Sequence, residues 1–89
     1  MPKRVDANQA RIVRALRQAG ASVLHLHTIG GGAPDILVGY RGDNFLLEIK
    51  SGDGKLNDRQ ALWHTLWRGQ VAVVRSVDEA FKVIGVDIS

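Results

Sequence analysis

Three charged residues mark where this sequence can do chemistry: Asp35, Glu48 and Lys50. Asp35 stands before the apolar run Ile36-Leu37-Val38, while Glu48 and Lys50 close the run Phe45-Leu46-Leu47 with Ile49 between them. Two carboxylates held close together raise each other's pKa, a cost that a divalent cation removes. Their hard oxygens suit Mg²⁺ or Mn²⁺, which bind through one or two carboxylates and fill the remaining positions with water and phosphate oxygens. A cation held this way bridges a scissile phosphate and lowers the pKa of its water. Lys50 adds a compact ammonium, suited to orienting that water and to neutralising charge on phosphate oxygens.

The three must first share a face. Alternate side chains of a strand point the same way, so Glu48 and Lys50 lie together, with Phe45, Leu47 and Ile49 opposite. Residues 35–40 and 45–50 flank the polar turn Arg41-Gly42-Asp43-Asn44, a hairpin pattern. If Arg41 opposes Asn44, or Tyr40 opposes Phe45, paired positions sum to 85. Asp35 then faces Lys50, with Glu48 on the diagonal. A slip of one residue would send Asp35 to the other face.

The elements that position this hairpin follow from periodicity and caps. Residues 6–19 form an amphipathic helix with Asp6 as N-cap, Ile12, Val13 and Leu16 as its stripe, and Gly20 as its stop. Residues 21–28 alternate as a strand, and residues 29–34, with Gly30-Gly31-Gly32, form a loop. A second helix runs from about Asp58 to Gly69, carrying Leu62, Leu66, Trp63 and Trp67 at helical spacing. Residues 70–75 form a further strand, and Ser76 or Asp78 caps a last helix bearing Ala80, Phe81 and Ile84. The expected fold class is α/β, in the order α-β-β-β-α-β-α. The crossover from 45–50 to 71–75 makes those two strands parallel.

With 89 residues the chain is expected to form a single domain, residues 1–89. A hydrophobic share of 45% suits a globular chain. The absence of cysteine excludes a disulfide framework and a thiolate zinc site. No secretory leader or membrane-spanning run is expected, which points to a cytoplasmic protein without a membrane partner. The net charge of +3 and pI near 9.8 favour a polyanionic partner.

Taken singly, a Glu-x-Lys on a strand is usually solvated charge. Here Pro34-Asp35, thirteen residues and Glu48-Ile49-Lys50 together resemble the PD-(D/E)XK nuclease signature. With Gly32-Ala33 before it, and Gln60-x-x-x-His64 on the following helix, the chain resembles the VRR-NUC (virus-type replication-repair nuclease) domain from about Asp6 to Gly85. The resemblance implies a restriction-endonuclease-like fold, a mixed sheet flanked by helices. It implies a Mg²⁺- or Mn²⁺-dependent DNA endonuclease selective for branched DNA such as four-way junctions, in a phage or bacterial setting. Asp35, Glu48 and the backbone carbonyl of Ile49 would hold metal, Lys50 would be the catalytic lysine, and Gln60 and His64 would face the cleft from one helix face. His64 would touch phosphate, meet the metal's water, or brace the site. Family members often carry an acidic residue on the first helix, where this chain offers Asp6 or Gln9.

Other residues admit two roles. Gly31 and Gly32 make either a plain loop or a close approach to DNA phosphate. Arg11, Arg14 and Arg17 on the first helix, with Arg59 and Arg68 on the second, decorate solvated faces or contact phosphates. His25 and His27 lack a third ligand for zinc. Trp63 and Trp67 are expected in core or subunit packing. Paired incisions at a junction would need a homodimer, with apolar surface around these tryptophans as its interface. The competing functions are a catalytically inactive DNA-binding or assembly module that retains the fold, and a small α/β protein-interaction domain.

Overall fold

A computed structural model describes residues 6–87. Seven elements run in the expected order: α1 (Ala7–Gln18), β1 (Ser22–His25), β2 (Ile36–Tyr40), β3 (Asp43–Ile49), α2 (Asp58–Leu66), β4 (Ala72–Val74) and α3 (Val77–Ile84). The strands form one mixed sheet in the order β1-β2-β3-β4. The first two pairings are antiparallel, and β3 to β4 is parallel. That step follows from the α2 crossover, since only a long connection can return a chain to run in the same direction.

Local chemistry sets the helix ends. The Asp6 carboxylate accepts the Asn8 N–H at 2.9 Å and starts α1. Ser76, rather than Asp78, caps α3, its hydroxyl accepting the Glu79 N–H at 3.1 Å. Gly85 closes α3 in the left-handed conformation, φ 87°, which costs glycine no Cβ clash.

One sheet face and two helices make the core. Ile36, Val38, Leu47, Ile49 and Val74 are buried against Ile12, Val13 and Leu16 of α1 and Ala80 and Ile84 of α3. Each fully buried aliphatic side chain contributes about 1.5–3 kcal/mol relative to exposure. Glu48 lies on the other face, as its neighbours Leu47 and Ile49 require. On α2 no residue is fully buried, and Leu62, Leu66 and Trp67 are exposed. The tryptophans therefore do not enter the core. Trp63 and Trp67 stack on each other at 4.7 Å, and the Trp67 indole N–H donates to the Gln70 carbonyl at 3.1 Å.

The hairpin register differs from the expected one. Tyr40 pairs with Asp43 and Ile36 with Leu47, so paired positions sum to 83, not 85. Asp43 and Asn44 belong to β3, and the connection is Arg41-Gly42 alone, with φ 51° and 85°. Two successive positive φ angles give the turn whose twist matches a hairpin, but they are ordinarily filled by Asn-Gly or Asp-Gly. Arg41 accepts that conformation with its guanidinium 5.2 Å from the centre of the Tyr40 ring. Because the register moved by two residues, the face of each side chain is unchanged. Extending the pairing, Asp35 falls opposite Glu48 rather than Lys50.

Two strands are shorter than expected. β1 stops at His25, and the chain bends so that the Ile29 N–H reaches the Leu26 carbonyl at 3.0 Å. β4 begins at Ala72, and Gln70 fills the missing rung with its side chain. Its Oε1 accepts the Leu46 N–H at 2.6 Å, and its Nε2 donates to the Leu46 carbonyl at 3.1 Å.

Candidate active site

The site forms where the β2–β3 ladder ends. Leu46 and Lys50 turn their backbone groups toward β4, since the Lys50 N–H donates to the Val74 carbonyl at 3.1 Å. By alternation, Ile49 turns its N–H and C=O toward β2. Continued by two positions, the register would pair Ile49 with Pro34, which has no N–H to donate. The Asp35 carboxylate takes the Ile49 N–H instead, Oδ2 to N at 2.7 Å. Proline thus ends the ladder, and the Ile49 carbonyl receives no backbone donor from it.

Glu48 is only 1% exposed. Its Oε2 lies 3.4 Å from the Gln60 amide nitrogen, and its Oε1 lies 3.9 Å from His64 Nε2. The His64 contact is too long for a hydrogen bond. Burial first, and the Lys50 ammonium second, hold the imidazole below its usual pKa. The buried Nε2 of His64 has no hydrogen-bond partner among the described residues.

Gln60 is the hub of the site. Its Oε1 accepts the Lys50 ammonium at 2.8 Å and the Asn57 N–H at 3.0 Å, which turns Nε2 toward Glu48. Asn57 completes a capping box by accepting the Gln60 N–H at 2.9 Å. The same amide thus starts α2, aims Lys50 and faces the buried carboxylate. The Asn57-x-x-Gln60 spacing was the available signal for Asn57, which sequence reasoning did not single out.

A cleft of about 390 Å³ opens above these groups, lined by Asp35, Glu48, Ile49, Lys50 and Gln60. The glycine loop supplies one rim. Gly30, Gly31 and Gly32 have φ of 73°, 67° and 86°. At Gly32 an added Cβ would stand 2.5 Å from the Arg59 carbonyl oxygen, so the loop packs backbone to backbone on the first turn of α2. Gly31, Gly32 and Arg59 all line the cleft. His64 and Arg11 do not: His64 meets only the Glu48 end of the site, and Arg11 is exposed on α1.

The start of α1 forms the opposite wall. Asn8 donates through Nδ2 to the carbonyls of Lys50 at 3.0 Å and Arg75 at 3.1 Å, pinning the helix to the ends of β3 and β4. No sequence pattern announces these long-range bonds. Asp6 has both oxygens engaged, one by the Asn8 N–H and the other by the Ser51 hydroxyl at 2.8 Å. These bonds, the backbone one foremost, lower its pKa. Gln9 is 9% exposed and lines the cleft, and its side chain makes no hydrogen bond among the described residues. It is the better placed of the two to meet a ligand.

Among the described residues no three His, Cys, Asp or Glu side chains group closely enough to hold a metal ion by themselves. The hard oxygen donors among the residues lining the cleft include the Asp35 and Glu48 carboxylates and backbone carbonyls such as that of Ile49. Such a set fits Mg²⁺ or Mn²⁺, which keep water and phosphate oxygens in their remaining positions. No helix among the described residues is long and apolar enough to cross a membrane. Comparison with protein-family models, with curated proteins and with solved structures returns no match.

Proposed function

We propose that the protein is a Mg²⁺- or Mn²⁺-dependent DNA endonuclease of the PD-(D/E)XK type. The observation that carries this reading is that Asp35, Glu48, Ile49 and Lys50 line one cleft, with Gln60 holding the Lys50 ammonium. Asp35, Glu48 and the Ile49 carbonyl would hold the cation, which supplies charge stabilisation at the phosphate and a more acidic water. Lys50 orients the attacking water and faces the non-bridging phosphate oxygens. One P–O bond forms to the water oxygen as that water gives up a proton to solvent, the opposite P–O ester bond breaks, and the leaving oxygen takes up a proton from solvent. Gln60 is a positioning residue: it fixes Lys50 without touching substrate. The basic charge of the chain supplies sequence-independent attraction to the DNA backbone.

The resemblance to VRR-NUC domains extends the proposal to branched DNA and to the restriction-endonuclease-like fold. Incision of both strands of a four-way junction requires two sites, hence a homodimer. Leu62, Leu66 and Trp67 form the exposed apolar strip suited to joining two copies. Mass measurement in solution tests this, with Leu66→Glu expected to yield monomers.

The decisive experiment incubates the protein with a labelled four-way junction, a splayed duplex and a linear duplex, in Mg²⁺, Mn²⁺ or EDTA, beside Lys50→Ala. Cleavage that needs metal and is lost in the variant is the expected result. Binding without cutting under every condition would overturn it in favour of a non-catalytic DNA-binding module. Binding of neither DNA nor metal would leave a protein-interaction domain.

A further inference from the structure

A second groove lies beside the cleft, between α1 and the edge strand β1. It measures about 460 Å³ and is lined by Ala10, Val13, Arg14, Arg17, Gln18 and His25. No acidic side chain is among them. Ala10 and Val13 give it an apolar floor, and the guanidinium groups of Arg14 and Arg17 give it a positive rim. The Nδ1 atom of His25 is buried with no hydrogen-bond partner. A buried ring nitrogen without a partner costs free energy.

The groove adjoins the cleft through a pair of histidines. His27 lines the cleft, His25 lines the groove, and their rings meet edge to face at 6.0 Å. Along α1, Gln9 lines the cleft while Arg14 and Arg17 line the groove. From Gln9 to Arg17 the helix rises about 12 Å, the length of about three to four stacked nucleotides at the rise of one DNA strand. Arg17 spends one donor on the Val23 carbonyl at 3.2 Å and keeps others for a ligand.

Phosphate contacts along a duplex need only the charged rim. The apolar floor and the imidazole ring beside it suit a different object, a base turned out of a stack, whose flat face packs on apolar and planar side chains. We propose that the α1–β1 groove binds an unpaired nucleotide of the strand whose phosphate occupies the cleft. Val13 and the Arg14 stem contact the base face, the His25 ring lies beside it, and Arg17 contacts the adjoining phosphate. The inference rests on the nuclease reading for the occupant of the cleft, and it makes a junction or splayed end a better ligand than continuous duplex.

The test measures binding by fluorescence anisotropy in EDTA, where no cleavage occurs, using a labelled single strand, a splayed duplex and a blunt duplex. Arg14→Glu and His25→Gln are compared with Lys82→Glu, which makes the same charge change as Arg14→Glu on the exposed face of α3. The groove variants are expected to weaken binding of the single strand and the splayed duplex about tenfold, and blunt-duplex binding no more than Lys82→Glu does. Equal losses on all three DNAs, equal losses in Lys82→Glu, or no loss at all would overturn the proposal. Cleavage of the same DNAs in Mn²⁺ separates the two readings. Cutting with groove-independent binding would remove the groove and leave the nuclease. Groove-dependent binding without cutting would do the reverse.

Discussion

The Asp35 carboxylate accepts the Ile49 N–H at 2.7 Å at the point where Pro34 ends the β2–β3 ladder. One side chain therefore satisfies a strand that has lost its partner and stands at the edge of the cleft. The structure, and the metal chemistry proposed for the cleft, draw on the same two oxygens. Substitutions at Asp35 can separate them.

Asp35→Ala leaves the Ile49 N–H without its acceptor, a loss of about 1–3 kcal/mol when such a group stays buried. Asp35→Asn keeps a carbonyl oxygen for that N–H but surrenders the charge that would hold a cation. Urea denaturation should show Asp35→Ala clearly destabilised and Asp35→Asn much less so. Both should lower metal-dependent cleavage by at least about a hundredfold. Equal stability of the two variants would contradict the role assigned to the Ile49 bond.

Gln60 should reveal its positioning role through a split between stability and activity. Gln60→Ala removes one half of the capping box and is expected to cost about 1 kcal/mol. It also frees Lys50, so turnover should fall while DNA binding in EDTA changes little. Gln60→Glu retains an acceptor for the Asn57 N–H and for Lys50 but turns a carboxylate oxygen toward buried Glu48, so it should recover only part of the lost thermal stability. Its second carboxylate near Glu48 should shift the pH dependence of cleavage toward higher pH.

The glycine loop supplies a graded comparison. Gly31→Ala meets open space and bears only the strain of positive φ, about 1 kcal/mol. Gly32→Ala adds a Cβ 2.5 Å from the Arg59 carbonyl oxygen, so loop and helix must separate. The expected cost is about 2–4 kcal/mol, with lower activity as α2 and Gln60 move. Denaturant midpoints for the two variants test the order.

Asp6 predicts a pH effect with a definite sign. Its pKa is lowered from 3.8 by the Asn8 N–H and then the Ser51 hydroxyl, so the folded state favours the charged form. The stabilisation is fully present above pH 3.8 and is lost as the pH falls through the lower folded value. Asp6→Asn keeps the cap without titrating. Melting temperatures should therefore fall more steeply below pH 3.8 in the unaltered protein than in Asp6→Asn.

Much of the fold was legible because its signals are local. Asp6, Ser76 and Gly85 mark helix ends by their own chemistry, and Ile12, Val13 and Leu16 mark a buried stripe by spacing alone. The grouping of Asp35 with Glu48 and Lys50 was also legible, because a two-residue change of register preserves the face. The turn itself was not, since Arg41 adopts a conformation expected of Asn, Asp or Gly. Nor were the bonds from Asn8 to Lys50 and Arg75, which join residues distant in the chain. Of the two packing roles open to the tryptophans, the core was not the one: helical spacing shows that they share a face, but not whether anything covers it.

The side chain of Gln70 has a consequence for how the protein behaves in a crowded solution. β3 extends beyond β4, and an uncovered strand edge is a template on which other chains can add. By holding both backbone groups of Leu46, Gln70 closes the first open rung of that edge with an amide that cannot propagate the sheet. Removing this stopper should leave the monomer folded while making its concentrated solutions prone to fibrous aggregation. The same glutamine that completes the fold would then also guard the boundary between one molecule and many.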